Sequence, residues 1–187
     1  ESKRKWEALL KKEHDMLSEA KKSGKYNENY STLEQLAGLT IPDLSTPKSK
    51  VLGSSKNYPK HQAPKHAIDD NPKTKYLNFD ANGSGLTIHA GKGIIKGLSL
   101  LSAADVPGRD PLSYRIEGSS DGKSFQVISA GPVPNFKKRN EKHQIYFDND
   151  KAFSIYRLTF PKLADIYSKE MQIAEVELLK ANFVSSD

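Results

Sequence analysis

The chain contains no cysteine, a single tryptophan, and no apolar run approaching the roughly 20 residues that cross a membrane. Without cysteine there is no disulfide framework and no thiolate metal site, which excludes the small disulfide-stapled domains. No segment has the layout of a signal peptide, and no internal repeat is visible. The first residue is Glu1 rather than methionine. The chain is therefore read as a piece of something longer, and missing targeting signals carry little weight. Strong charge of one sign is lacking too. Against 29 basic residues stand 23 acidic ones, a formal net charge of +6. The basic residues are dispersed and form no stripe that would follow a phosphate backbone, so nucleic-acid binding is not expected. Hydrophobic residues make up 36% of the 187. That is low for a globular chain but too high for disorder throughout, and it reads as a polar N-terminal third followed by an ordinary domain.

Residues 1–23 read as a helix. Trp6, Leu9, Leu10, Met16, Leu17 and Ala20 fall near one thin stripe, and Gly24 supplies a stop. Such a helix is either a spacer or a packing element. Ser31-Thr32-Leu33-Glu34 fits a capping box opening a short helix that ends at Gly38. The stretch 40–64 carries four prolines among serines and lysines and reads as a linker or an extended surface segment. These features set a provisional boundary, with a helical and extended appendage over 1–60 and the folded domain over 61–187.

Past Tyr76 the texture changes to short strand-like runs separated by turn residues. Strands are expected near 86–89, 94–101, 114–119, 125–129, 144–147, 155–160 and 172–179. In Tyr156-Arg157-Leu158-Thr159-Phe160 the alternation is clean, with Tyr156, Leu158 and Phe160 on one face. Seven or more strands in about 110 residues, with almost no helix, predict an all-β sandwich or jelly roll. The Gly-rich turns are followed by no helix, so they are not phosphate loops.

One stretch, 66–78, concentrates chemistry. Asp69, Asp70, Asn71 and Thr74 surround an Asn71-Pro72 turn signal just ahead of Tyr76 and Leu77. Oxygen donors on a tight turn suit a hard cation such as calcium. Asp residues capping backbone amides in a solvated loop would use the same residues differently. His61 and His66 lie five apart in a proline-containing segment and make a poor zinc pair.

Four motifs then fall in order. Residues 67–76, A-I-D-D-N-P-K-T-K-Y, resemble the "A-x-D-G-x-x-x-T-x-W" opening of discoidin domains, also called coagulation factor five/eight type C domains. Residues 114–125, Y-R-I-E-G-S-S-D-G-K-S-F, are similar to that family's "Y-x-I-x-x-S-x-D-G-x-x-W" hairpin. Tyr156-Arg157-Leu158 and residues 173–178, I-A-E-V-E-L, resemble its closing strands. The likeness spans about residues 64–180. It departs at Tyr76 and Phe125, where Trp is usual, and at Asp70, which replaces a frequent Gly. The resemblance implies a galactose-binding-like jelly-roll β-sandwich. It also implies a structural calcium between the opening loop and the last strand, held by the side chains of Asp69, Thr74 and Glu175 with carbonyls from Ala67, Asn71 and Ala174. A carboxylate such as Glu175 among Ala174, Val176 and Leu178 would be costly to bury unpaired.

Domains of this kind resemble carbohydrate-binding modules of family 32, which implies a non-catalytic glycan-binding role. The corresponding setting is extracellular or at the cell surface, as a monomeric module appended to a glycan-processing protein. Sugars need polar partners beside a flat apolar surface. Residues 103–111 offer Asp105, Arg109 and Asp110. Residues 132–140 offer Phe136, Arg139 and Asn140, a platform, a forked donor and an amide. Asn78 is a third candidate. The basic second loop points to an acidic or sulfated glycan. Each also has a plain structural reading: Arg109 and Asp110 pair with each other, residues 137–139 form a solvated charge run, and Phe136 tucks into the core. An adhesion domain on the same fold would instead show a hydrophobic loop tip. An enzyme would need a carboxylate pair such as Asp105 and Asp110 on a cleft.

Overall fold

The computed structural model describes residues 2–28 and 43–180. Two strands show how the alternating sequence builds the core. From β5 (Ser113–Ser119) Tyr114 and Ile116 point inward, and from β8 (Phe153–Thr159) Tyr156 and Leu158 do the same. Ile116 sits opposite Leu158 across the antiparallel ladder, so the large side chains stack in one layer. Arg115, Glu117 and Arg157 fall on the other face.

These strands belong to a five-stranded sheet in the order β1 (Lys50–Gly53), β3 (Gly85–Gly93), β8, β5, β6 (Gln126–Pro132). A three-stranded sheet, β10 (Glu175–Lys180), β4 (Ile95–Leu101) and β7 (Lys142–Tyr146), lies across the core from it. A short pair, β2 (Tyr76–Asn78) and β9 (Met171–Ile173), completes the sandwich. Every strand pairing is antiparallel. Leu86, Ile88, Leu98, Leu100, Ile145, Val176 and Leu178 fill the space between the sheets. The all-β sandwich expected from the alternation is the fold found.

Two boundaries differ from the expectation. The single strand drawn over 172–179 is two: the chain switches sheets at Ala174, whose N–H donates to the Leu101 carbonyl at 2.9 Å. β9 thus pairs with β2 and β10 with β4. β1 lies in the proline-containing stretch read as linker, where four residues give too short a pattern to recognise. It forms one edge of the five-stranded sheet by pairing with β3, so the sandwich begins ahead of residue 61. The capping-box helix over 31–38 lies outside the described residues.

The N-terminal helix α1 (Ser2–Lys22) is a packing element, not a free spacer. Leu17 and Ala20 bury against Ala130 of β6, with Tyr26 and Val127 at the margin. Residues 25–27 then run beside β6: the Ala130 N–H donates to the Lys25 carbonyl at 3.1 Å and the Asn27 N–H to the Ala130 carbonyl at 2.6 Å. The Asn27 amide also reaches the Tyr146 carbonyl at 2.9 Å, tying the edges of the two sheets together.

Gly85 tests the closeness of β3 and β8. A Cβ there would overlap the Leu158 carbonyl oxygen. Gly85→Ala is expected to destabilise the fold by at least about 2 kcal/mol, read as a lower urea midpoint at unchanged m-value.

Candidate functional site

Loops from several strands converge on one pole. The Leu112 N–H donates to the Lys162 carbonyl and the Val133 N–H to that of Leu112, each at 2.8 Å. Ala164 and Asp165 N–H groups donate to the Asp110 and Gly108 carbonyls. The Asn140 side chain donates to the Pro72 and Ser102 carbonyls at 3.1 and 3.2 Å. The opening loop therefore sits against the other loops of this pole.

Within the opening loop Asp70 adopts φ +58°. This is the position where the resembled motif carries Gly, and Asp tolerates the left-handed conformation better than most residues. The turn folds Asp69, Asn71 and Thr74 back on one another. The Thr74 hydroxyl lies 2.7 Å from Asp69 Oδ2 and 3.0 Å from the Asn71 carbonyl. The Asn71 N–H reaches Asp69 Oδ1 at 3.0 Å and Glu175 Oε1 at 3.2 Å. Sequence positions 104 residues apart are thereby brought together.

Glu175 is the unusual group. It is buried, and its Oε2 has no hydrogen-bond partner among the described residues. Burial, followed by the nearby Asp69 carboxylate, raises its pKa to about 8. At Asp69 burial pushes upward as well, but contacts from Glu175, Thr74, His66 and the Asn71 amide outweigh it and hold the group below the ordinary value. The two neighbouring carboxyl groups thus titrate apart, Asp69 more acidic than usual and Glu175 less. Two carboxylates, a hydroxyl and a carbonyl around an orphaned oxygen are a donor set that fits a hard divalent cation. Ala67 and Ala174, both fully buried, end the 3₁₀ turn Pro64–Ala67 and bridge β9 to β10.

The residues expected to contact sugar mostly do something else. Asn78 is 0% exposed: its amide donates to the Tyr76 hydroxyl at 2.8 Å and its Oδ1 accepts from the Asp80 N–H at 2.8 Å. It is a core polar hub and not a ligand contact. Arg139 and Asp110 form a two-pronged ion pair at 3.0 and 2.5 Å, with Asp110 buried, and Arg139 also donates to the Ala103 and Asp105 carbonyls. The forked donor foreseen for a sugar is thus spent on holding loop to loop. Arg109 does not pair with Asp110; its Nε lies 3.4 Å from Glu170 Oε2. Phe136 is half-buried, packs on the core and tilts against His143 at 4.6 Å between ring centroids. Asn140 holds the two loop carbonyls already described.

What remains open at the pole is a hollow of about 320 Å3 lined by His61, Gln62, Pro72, Lys73, Lys75 and Asp105. Its floor is a fixed polar relay. Lys75 Nζ donates to Asp105 Oδ1 at 2.7 Å and to Gln172 Oε1 at 2.8 Å, and the Gln172 amide donates to the Asp105 and Val106 carbonyls. On the neighbouring loops Val106 and Tyr167 are 42% and 47% exposed. Sequence reading passed over Tyr167, an aromatic between β8 and β9 flanked by Asp165, Ser168 and Lys169. Its polar neighbours were the available signal that the ring faces solvent. Val106 carries a further mark: a β-branched residue at φ +39°, held by carbonyl contacts from Gln172 and Arg109.

No family model matches the sequence, and no curated protein does. Solved structures do. The Clostridium perfringens module CpGH89CBM32-5, solved in complex with GalNAc-β-1,3-galactose, superposes with a TM-score of 0.64 at 18% identity, over 74% of this chain and 99% of that one. The family 32 carbohydrate-binding module of C. perfringens NanJ, solved with galactose, gives 0.61 at 13% identity over 74% and 98%. A pectin-binding carbohydrate-binding module gives 0.57 at 17% identity over 77% and 95%. The fold is that of family 32 carbohydrate-binding modules, and about a quarter of this chain is additional to it.

Proposed function

We propose that the chain is a non-catalytic carbohydrate-binding module that takes its ligand at the loop pole. The observation that carries this reading is the hollow itself, with its hydrogen-bonded relay of Lys75, Asp105 and Gln172; an exposed Tyr167 ring stands on another loop of the chain. Sugar hydroxyls need pre-placed donors and acceptors, and the C–H face of a pyranose needs an aromatic plane. Lys73 and Lys75 line the hollow and Arg109 acts on Asp105 from nearby, a cationic bias that suits a carboxylated or sulfated glycan. Asp105 and Asp110 are unsuited to acid–base work. Asp105 is held by Lys75 and Asp110 by Arg139, so neither is free to carry a proton to a glycosidic oxygen.

A structural calcium fits beneath the pole. Asp69, Glu175, Thr74 and the Asn71 carbonyl would hold it, with the Ala67 and Ala174 carbonyls completing the shell as the resemblance implies. Bound there, the ion supplies the charge that Glu175 lacks and cross-links the opening loop to β10. The corresponding setting is a larger extracellular or surface protein that acts on glycans.

Exposed Val106 and Tyr167 also favour a second reading, a protein-adhesion tip on the same scaffold. A glycan array followed by affinity electrophoresis on the full chain separates the two. Tyr167→Ala and Arg109→Ala are expected to weaken binding to an acidic polysaccharide at least about tenfold at unchanged melting temperature. A blank array, or binding indifferent to both substitutions, would sink the glycan reading.

A further inference from the structure

α1 crosses the outer face of the five-stranded sheet from β6 toward β3. Ala20 meets Ala130, the Met16 carbonyl and Glu19 meet Arg115 of β5, and Lys12 meets the Asn82 carbonyl just ahead of β3. Leu17 and Ala20 are the helix's two fully buried residues, with Leu9, Leu10 and Met16 only partly covered. The outer face of the sheet beside the Arg115 latch is polar. Asn82 Oδ1, Ser113 Oγ and Thr159 Oγ1 are all more than nine-tenths buried and have no hydrogen-bond partner among the described residues. By register they are neighbours. Thr159 faces Arg115 across the β5–β8 ladder, Ser113 is two residues along the same face, and Gly83 bonds Phe160. Unsatisfied buried oxygens penalise the closed state and are rehydrated when a cover lifts. α1 also lacks support of its own. Lys3, Arg4 and Lys5 fill its first turn, with no acidic residue there to offset the positive end of the helix dipole. Most of the stability of a helix in a protein comes from packing of its apolar face, and here that face is narrow.

We propose that α1 and the adjoining strap, residues 25–27, are a lid that opens as one unit while the sandwich stays folded. Opening uncovers the polar face of Asn82, Ser113, Arg115 and Thr159 and frees the edge of β6. The strap holds that edge through the Ala130 amide, and Arg115 latches the helix through the Met16 carbonyl at 2.7 Å and Glu19 at 2.9 Å.

Native-state hydrogen exchange on the intact chain tests the lid. The amides of α1 and the Ala130 amide are expected to exchange together, at least about a hundredfold faster than those of Ile116 and Leu158. Gly131→Ala is a wedge, since its Cβ would overlap the Asn27 carbonyl oxygen; it should speed α1 and Ala130 at least about tenfold more than it speeds β8. Ser113→Ala with Thr159→Val removes two of the orphaned hydroxyls and should slow α1 opening. Exchange of α1 at the rate of Leu158 in the unaltered chain would overturn the proposal. So would a Gly131→Ala variant in which both regions speed up equally, because either result makes the helix part of one cooperative unit.

Discussion

Chelation is expected to lower the melting temperature by roughly 10 °C. A cation held at about a thousand times its dissociation constant stabilises the folded state by about 4 kcal/mol through mass action. A domain of this size moves by about 2–4 °C per kcal/mol. The chelated chain should also acquire a pH dependence of its own. Folded Glu175 titrates near 8, above its ordinary 4.5, because of burial and the Asp69 charge. The folded state therefore binds more protons than the unfolded one between those values. The Glu175 contribution to metal-free stability is full below about 4.5 and is lost as pH rises through about 8. Adding calcium back should remove that decline and replace it with a loss at acid pH, where protons compete for the same carboxylates. Differential scanning calorimetry with EDTA, and with calcium restored, reads both effects. A melt unchanged by EDTA at pH 8 would count against the metal.

Arg139→Ala is expected to cost about 3–5 kcal/mol of stability, the usual result of stripping a buried carboxylate of its partner. Asp110 would stay buried without the guanidinium fork that now holds it, and burial already pushes its pKa upward against the pull of Arg139. The lost carbonyl contacts to Ala103 and Asp105 add to the damage. The substitution would abolish ligand binding as well, by releasing the loop, so a binding assay alone would misassign Arg139 to the ligand. Replacing both partners, as Asp110→Asn with Arg139→Gln, should recover much of the loss. Chemical denaturation of the single and double variants gives the comparison, and full additivity would show that the pair is not coupled.

The strands that carry a bulky inward layer were legible from their period of two, β5 and β8 above all. The elements missed are those whose place is fixed by a partner rather than by their own pattern. β1 is four residues long and belongs to a sheet only because β3 offers an edge. β9 ends and β10 begins with no break in hydrophobicity, since both halves are buried. That Asp69 and Thr74 meet Glu175 followed from the family resemblance; the residues alone showed oxygen donors on a turn and, far along the chain, a carboxylate in an apolar strand. Arg139 and Asn140 illustrate the complementary case. Residue type says what a side chain can bond to, and here the Asp110 carboxylate and the Pro72 and Ser102 carbonyls occupy those bonds.

The switch at Ala174 sets an order on synthesis. β2 finds β9 only across 97 residues, as Tyr76 opposite Ile173 shows, and β4 completes its sheet only with β10. A nascent chain that has emerged through β8 therefore holds all five strands of its larger sheet but lacks one wall of the smaller one. It must wait, with apolar surface showing, until residue 180 clears the ribosome. Slow translation of the last strands would prolong that exposure, and a chaperone that shields half-built sheets would matter most in that interval.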